Sequence, residues 1–191
     1  MKKFNKKDLW TIPNIIGYVR ILLIPVFCYV YLTADTTADY YLACGIVLFS
    51  SFTDLFDGMI ARKFNQVTEL GKILDPVADK LTHAALALCL CVRYPFMRIL
   101  VILMILKECY MAVMGAIMLK RGKMLDGAMF CGKVCTALLF SGLFLLFLFP
   151  TMPLQIVNII ITILMISMVY TWSRYIIVYH HMLHEKGDQA C

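Results

Sequence analysis

Apolar stretches long enough to cross a bilayer follow one another along almost the whole chain, and the second and third of them are interrupted by four aspartates, Asp54, Asp57, Asp75 and Asp79. A membrane-spanning helix needs about 20 mostly apolar residues. A carboxylate at the bilayer centre costs on the order of 3 kcal/mol, so acids placed there need cations or a polar cavity. The chain must therefore bundle its helices around, or at the edge of, a place where those carboxylates are compensated.

Composition supports a membrane-embedded chain: of 191 residues, 62% are hydrophobic and 16% charged, and the mean hydropathy is +0.82. Nothing reads as a polar linker or a low-complexity tract, so residues 1–191 are expected to form one domain. The net charge of +6 is that of cytoplasmic loops against anionic headgroups. No basic, aromatic-studded soluble surface is available for nucleic acid, which excludes that class of partner. The eight cysteines stand at 28, 44, 89, 91, 109, 131, 135 and 191 without a CxxC pair, and read as small apolar fillers of helix packing. The start Met1-Lys2-Lys3 ahead of an apolar run resembles a secretory leader, but Asn14, Arg20 and Pro25 interrupt the run and no small-residue cleavage site follows; the segment is expected to be retained.

Taken in order, residues 1–16 predict a cytoplasmic tail and a short interfacial helix, with Trp10, Ile12, Ile15 and Ile16 apolar and Pro13 in the first turn. Six spans are expected over 17–179: 17–32, a second starting near Tyr40 and closing at Arg62 and Lys63, then 69–92, 96–119, 128–149 and 154–179. Residues 180–191 form a second cytoplasmic tail. The basic residues put both termini, and the acid-bearing ends of spans two and three, on the cytoplasmic side of the cell membrane; Arg93 and Arg98, in an outer loop, are the exception. The fold class is all-α: an integral membrane bundle of six transmembrane helices with an N-terminal interfacial helix.

Asp54 and Asp57 are three apart and Asp75 and Asp79 four apart, so each pair shares one helix face, and Gly71 extends the second stripe. Two such helices side by side converge four acids. Oxygen ligands without Cys or His suit hard cations such as magnesium, manganese or calcium, and paired metals on shared carboxylates are the usual device for displacement at phosphorus. The plainer alternative is a buried ion-pair network of the four acids with Arg62, Lys63, Lys72 and Lys80.

Residues 54–79 read Asp-x2-Asp-Gly-x2-Ala-Arg-x8-Gly-x3-Asp-x3-Asp, and every fixed position and both gaps match the signature of the CDP-alcohol phosphatidyltransferase family. The resemblance implies two divalent cations, Mg2+ or Mn2+, on Asp54, Asp57 and Asp75, with Asp79 joining them and taking the proton of the attacking hydroxyl. It implies a CDP-linked lipid or alcohol as the donor, expected here to be CDP-diacylglycerol, with CMP as the leaving group, and often a homodimer. Gly58, Ala61 and Gly71, nearly without side chains, leave room for a cytosine or ribose near the backbone, or else serve close helix packing. Arg62 is placed to pair with a donor phosphate or to anchor topology.

Leu74-Asp75-Pro76-Val77-Ala78-Asp79-Lys80 resembles the branch containing phosphatidylglycerophosphate synthases and CDP-diacylglycerol-dependent cardiolipin synthases, as do Ile12-Pro13-Asn14 with Arg20 and Pro25, and Gly132-Lys133-Val134-Cys135-Thr136. Either acceptor, glycerol 3-phosphate or phosphatidylglycerol, carries a phosphate and needs a basic pocket. Lys107, Lys133 and Arg174 lie in or at the ends of apolar spans and are the candidates, with snorkelling to the interface as the alternative. Lys107-Glu108 stands where phosphatidylglycerophosphate synthases commonly have Arg-Glu, a departure that leaves the acceptor open. His83 is expected to be a hydrogen-bonded bundle residue, and His180, His181 and His184 interfacial. A divalent-cation transporter would also set acids inside a bundle, but would need an acidic path through the outer halves of the spans, which carry none.

Overall fold

A computed structural model describes the backbone of residues 11–63, 71–120 and 129–184, with side chains for all of these except 12–13, 54–63, 71–73, 75 and 184. The described residues fold into six helices: α1 (Ile12–Leu32), α2 (Thr37–Lys63), α3 (Gly71–Arg93), α4 (Met97–Lys120), α5 (Phe130–Leu148) and α6 (Leu154–His184). No strand occurs among the described residues. Among the described residues four helices, α1, α4, α5 and α6, contain stretches long and apolar enough to cross a membrane, so the protein is a multi-pass membrane protein whose described residues form helices alone. α2 and α3 hold the four aspartates together with lysines and arginines, which dilutes their hydropathy. At about 1.5 Å per residue they are nonetheless ~40 Å and ~35 Å long, more than the hydrocarbon thickness.

The helix ends follow local chemistry. Pro13 occupies the first turn of α1, where its missing N–H goes unneeded. α1 is one uninterrupted helix from Ile12, so the segment expected at the interface and the first span after residue 17 are parts of the same helix; Ile15, Ile16 and Gly17 continue the pattern that begins at Pro13, and nothing in them stops a helix. Residues 1–10 of the expected tail lie outside the described residues. α2 opens with a reciprocal cap: the Thr36 N–H donates to the Asp39 carboxylate at 2.9 Å, the Asp39 N–H to the Thr36 hydroxyl at 3.4 Å. Pro150 and Pro153 separate α5 from α6. α6 continues to His184, past the expected end at residue 179, because leaving an apolar stretch does not by itself stop a helix.

The chain divides into two compact units. The first comprises the chain through Arg93 with Leu143–Thr151, the second Tyr94–Gly142 with Met152 onward. In the first, α1 packs against both α2 and α3. Its buried residues Asn14, Gly17, Arg20, Phe27 and Tyr31 recur at helical spacing along one stripe. Phe147 closes the far end, edge-on to Phe27 with ring centroids 6.0 Å apart and stacked on Tyr31 at 4.0 Å. There Arg93, in the last turn of α3, donates to the Tyr40 hydroxyl at 3.0 Å and lies 5.3 Å from the centre of its ring. One of the two arginines that broke the charge rule thus has partners within the protein.

In the second unit α4 packs on α6, and α5 meets α6 at two glycines. Leu164 fills the space a side chain at Gly142 would need, and the Tyr175 hydroxyl does so at Gly132. The described cysteines are all free thiols, with Cys44, Cys89 and Cys135 buried, in keeping with a packing role.

Candidate active site

The site begins with the α1–α2 hairpin. Counted from the connecting turn, Arg20 lies ~18 Å along α1 and Asp54 ~25 Å along α2, so both belong to the same end of the pair. α3 is held at that end by two contacts with α1. A Cβ on Gly17 would come within 2.5 Å of Leu74 Cδ2, so the two helices touch with no room for a side chain. One turn further, Arg20 Nη2 donates to Asp79 Oδ1 at 2.6 Å. Gly17 faces Leu74 and Arg20 faces Asp79, so α1 and α3 run in the same direction.

Asp79 is a carboxylate of mixed exposure. Its side chain is 49% exposed, while that of Arg20 is 4% exposed. The guanidinium, set in a helix of mean hydropathy 2.0, satisfies one oxygen from the protein side. The other oxygen has no hydrogen bond to a described residue. Asp75 stands one turn before Asp79 on the same face of α3, and α3 runs unbroken through Pro76. Asp54 and Asp57 lie in the last three turns of α2, Gly58, Ala61 and Arg62 after them, and Gly71 opens α3. The side chains of Asp54, Asp57, Asp75, Ala61 and Arg62 lie outside the described residues, and with them the expected convergence of the four acids.

The pairing of Arg20 with Asp79 was missed in the sequence, where Arg20 stood as an interruption of the apolar run and as part of the branch resemblance but was given no partner. The signal was available: a cation in an apolar helix needs a partner, the same argument that singled out Lys107, Lys133 and Arg174. His83, on the turn after Asp79, is partly buried.

The three cations proposed for the acceptor phosphate belong to the second unit. The Gly132–Tyr175 contact sets the backbones of Lys133 and Arg174, their immediate neighbours, on adjoining turns of α5 and α6. Tyr110, one turn after Lys107, packs against Trp172 with ring centroids 6.0 Å apart and against Tyr179 at 6.3 Å, so α4 meets α6 on both sides of Arg174. The three positions thus share one level of the unit. Lys107 is the most enclosed, its side chain 12% exposed, with Glu108 at 4.0 Å as a marginal ion pair. Lys133 and Arg174 are exposed and have no ion pair among the described residues.

With fold and site in view, the chain is seen to be a member of a known family: residues 10–179 match the model of the CDP-alcohol phosphatidyltransferases, and the chain belongs to that family. Among curated relatives, it is 41% identical over 88 residues to a cardiolipin synthase (CMP-forming)/mitochondrial hydrolase fusion protein of Schizosaccharomyces pombe, covering 46% of this chain and 14% of the relative. It is 44% identical over 72 residues to the CDP-diacylglycerol–glycerol-3-phosphate 3-phosphatidyltransferase of Rickettsia typhi, covering 37% of this chain and 39% of that one. These matches span well under half the length of the relatives. A solved structure, the phosphatidylinositol phosphate synthase of Mycobacterium tuberculosis in complex with manganese and citrate, superimposes with a TM-score of 0.59 at 20% identity, over 86% of this chain and 81% of that one, and shows the shared fold.

Proposed function

We propose that this protein transfers a phosphatidyl group from CDP-diacylglycerol to glycerol 3-phosphate, releasing CMP and leaving phosphatidylglycerophosphate. The observation that carries this reading is the family match over residues 10–179, within which all eight motif residues from Asp54 to Asp79 fall at their expected spacing. The same chemistry with phosphatidylglycerol as acceptor, giving cardiolipin, is the second reading, favoured by the cardiolipin synthase among the relatives.

The donor set, carboxylate oxygen throughout, suits magnesium or manganese, and Asp79 fits such a site by presenting one oxygen that no described residue occupies. Asp54, Asp57 and Asp75 would hold two such ions with Asp79. When bound, they neutralise the diphosphate and the departing CMP. The chain's own residues do the rest. Gly58, Ala61 and Gly71 admit the nucleoside close to the backbone, and Arg62 pairs with a donor phosphate. The acceptor hydroxyl attacks the phosphorus next to the diacylglycerol, the bond from that phosphorus to the oxygen bridging to CMP breaks, and Asp79 takes the hydroxyl proton. Lys107, Lys133 and Arg174 receive the acceptor's phosphate.

As an organisation we propose one domain over 1–191, with α1 to α6 as six spans, the beginning of α1 at the interface, and both termini and the site cytoplasmic in the cell membrane. The length of α2 and α3 and the partners found by Arg93 support this. A second copy of the chain is the proposed partner in the bilayer. Purified protein given CDP-diacylglycerol and one acceptor at a time tests the subtype. CMP release with glycerol 3-phosphate supports the first reading; release only with phosphatidylglycerol transfers the assignment to the second, and metal uptake into sealed vesicles without CMP release would favour a transporter over both.

A further inference from the structure

Arg20 has no task in the reaction as just described, yet it is among the most deeply buried charged side chains described, 4% exposed on the stripe by which α1 grips its neighbours. Its side chain is enclosed by the protein, so the burial itself calls for a partner there. Its Nη2 reaches across to α3 and bonds Asp79 Oδ1 at 2.6 Å, one turn from the Gly17–Leu74 contact that fixes the separation of the two helices. A half-exposed carboxylate left alone would rotate about its last torsion and sample several orientations. A planar guanidinium clamped on one oxygen removes that freedom and aims the other.

We infer that Arg20 is a positioning residue: its guanidinium holds Oδ1 of Asp79 so that Oδ2, the oxygen left for the cation site, also keeps a lone pair directed at the acceptor hydroxyl. The inference rests on the reading of Asp79 as proton acceptor. It deepens that reading by assigning a role to α1, which carries none of the motif. Because α1 packs on α2 as well, the helix that aims Asp79 also braces the one bearing Asp54 and Asp57. Misplacing a reacting group by about 1 Å costs on the order of 100-fold in rate while leaving substrate binding intact, and that separation identifies a positioning role.

The test uses the full-length protein with Arg20→Ala, Arg20→Lys and Asp79→Asn, assayed with whichever of glycerol 3-phosphate and phosphatidylglycerol supports CMP release. Calorimetric titration of CDP-diacylglycerol is run beside the kinetics. Arg20→Ala is expected to lose on the order of 100-fold in kcat, to keep both KM values and the donor Kd within about threefold, and to regain turnover when methylguanidinium is added. Arg20→Lys, with a point charge for a fork, should lose about tenfold. Wild-type kcat in either Arg20 variant overturns the inference, as does a loss traced to weaker donor binding, or a folded, donor-binding Arg20→Ala protein that methylguanidinium does not rescue. If Arg20→Ala does not fold, Arg20→Lys decides by the same kcat and binding criteria. Normal turnover by Asp79→Asn would remove the base assignment itself, whereas a dead Asp79→Asn beside an unimpaired Arg20→Ala removes only the positioning.

Discussion

Arg20 in α1 and Lys107 in α4 are both cations within helices of mean hydropathy 2.0, and both side chains are largely withdrawn from the surface, at 4% and 12% exposure. Their partners differ. Arg20 crosses to another helix and meets a carboxylate at 2.6 Å, whereas among the described residues Lys107 has only Glu108, the next residue of its own helix, as an ion-pair partner, at 4.0 Å, and consecutive helical residues do not share a face. A buried cation that is satisfied contributes to geometry. One that is nearly unsatisfied keeps its hydrogen-bond donors for something else, and a phosphate-bearing acceptor is the chemistry it would serve. The motif-bearing unit thus pairs its buried cation with a carboxylate of its own, while the second unit holds Lys107, Lys133 and Arg174 at one level of its helices with Glu108 as the one ion-pair partner among the described residues.

The largest effect expected on this account is at the acid. Asp79→Asn should lower CMP release by 10²–10⁴-fold, the usual contribution of a general base, with CDP-diacylglycerol binding retained; turnover near wild type would contradict the assignment. On the other side of the comparison, Lys107→Ala should raise the acceptor KM by about tenfold or more, as befits loss of a charge-assisted hydrogen bond, with the donor KM nearly unchanged. An unaltered acceptor KM would take Lys107 out of the pocket and erase the contrast with Arg20.

A smaller effect sharpens the α1–α3 contact. Gly17→Ala places a methyl 2.5 Å from Leu74 Cδ2, and the displaced leucine should cost about 1 kcal/mol, read as a lower midpoint of thermal unfolding in detergent; an unchanged midpoint would mean that the helices are not in tight contact there. The smallest lies at the far end of the hairpin. The Thr36 hydroxyl, then its N–H, bonds the Asp39 carboxylate and holds its pKa below the ordinary 3.8. A lowered folded-state pKa stabilises the cap above the ordinary carboxylate range, and that contribution is lost as pH falls through the folded value. Thr36→Ala should move the Asp39 titration back up toward 3.8, seen in its carboxyl carbon chemical shift; a midpoint that stays low would assign the shift elsewhere.

Much of the fold was legible before the structure, because apolar length and proline punctuation are local. Pro13, Pro150 and Pro153 mark helix boundaries, and most helix ends fall within a few residues of expectation. The motif acids were legible for the same reason, each pair being a spacing within one helix. What the sequence did not disclose was between helices. That Arg20 meets Asp79 across 59 residues depends on α1 and α3 running parallel in contact, and that depends on Gly17 accepting Leu74. Likewise the shared level of Lys107, Lys133 and Arg174 follows from the fit of Tyr175 over Gly132 and of Tyr110 between Trp172 and Tyr179, which no single-helix pattern encodes.

Divalent ions on the Asp54–Asp79 cluster, assisting transfer at phosphorus, are the premise on which the proposed chemistry depends most. Purified protein in mixed micelles with CDP-diacylglycerol and glycerol 3-phosphate, stripped of metal by exhaustive chelation and then resupplied with Mg2+ or Mn2+, measures that dependence through CMP release. No release is expected after chelation, with recovery on resupply. Undiminished release in the chelated sample would contradict that premise.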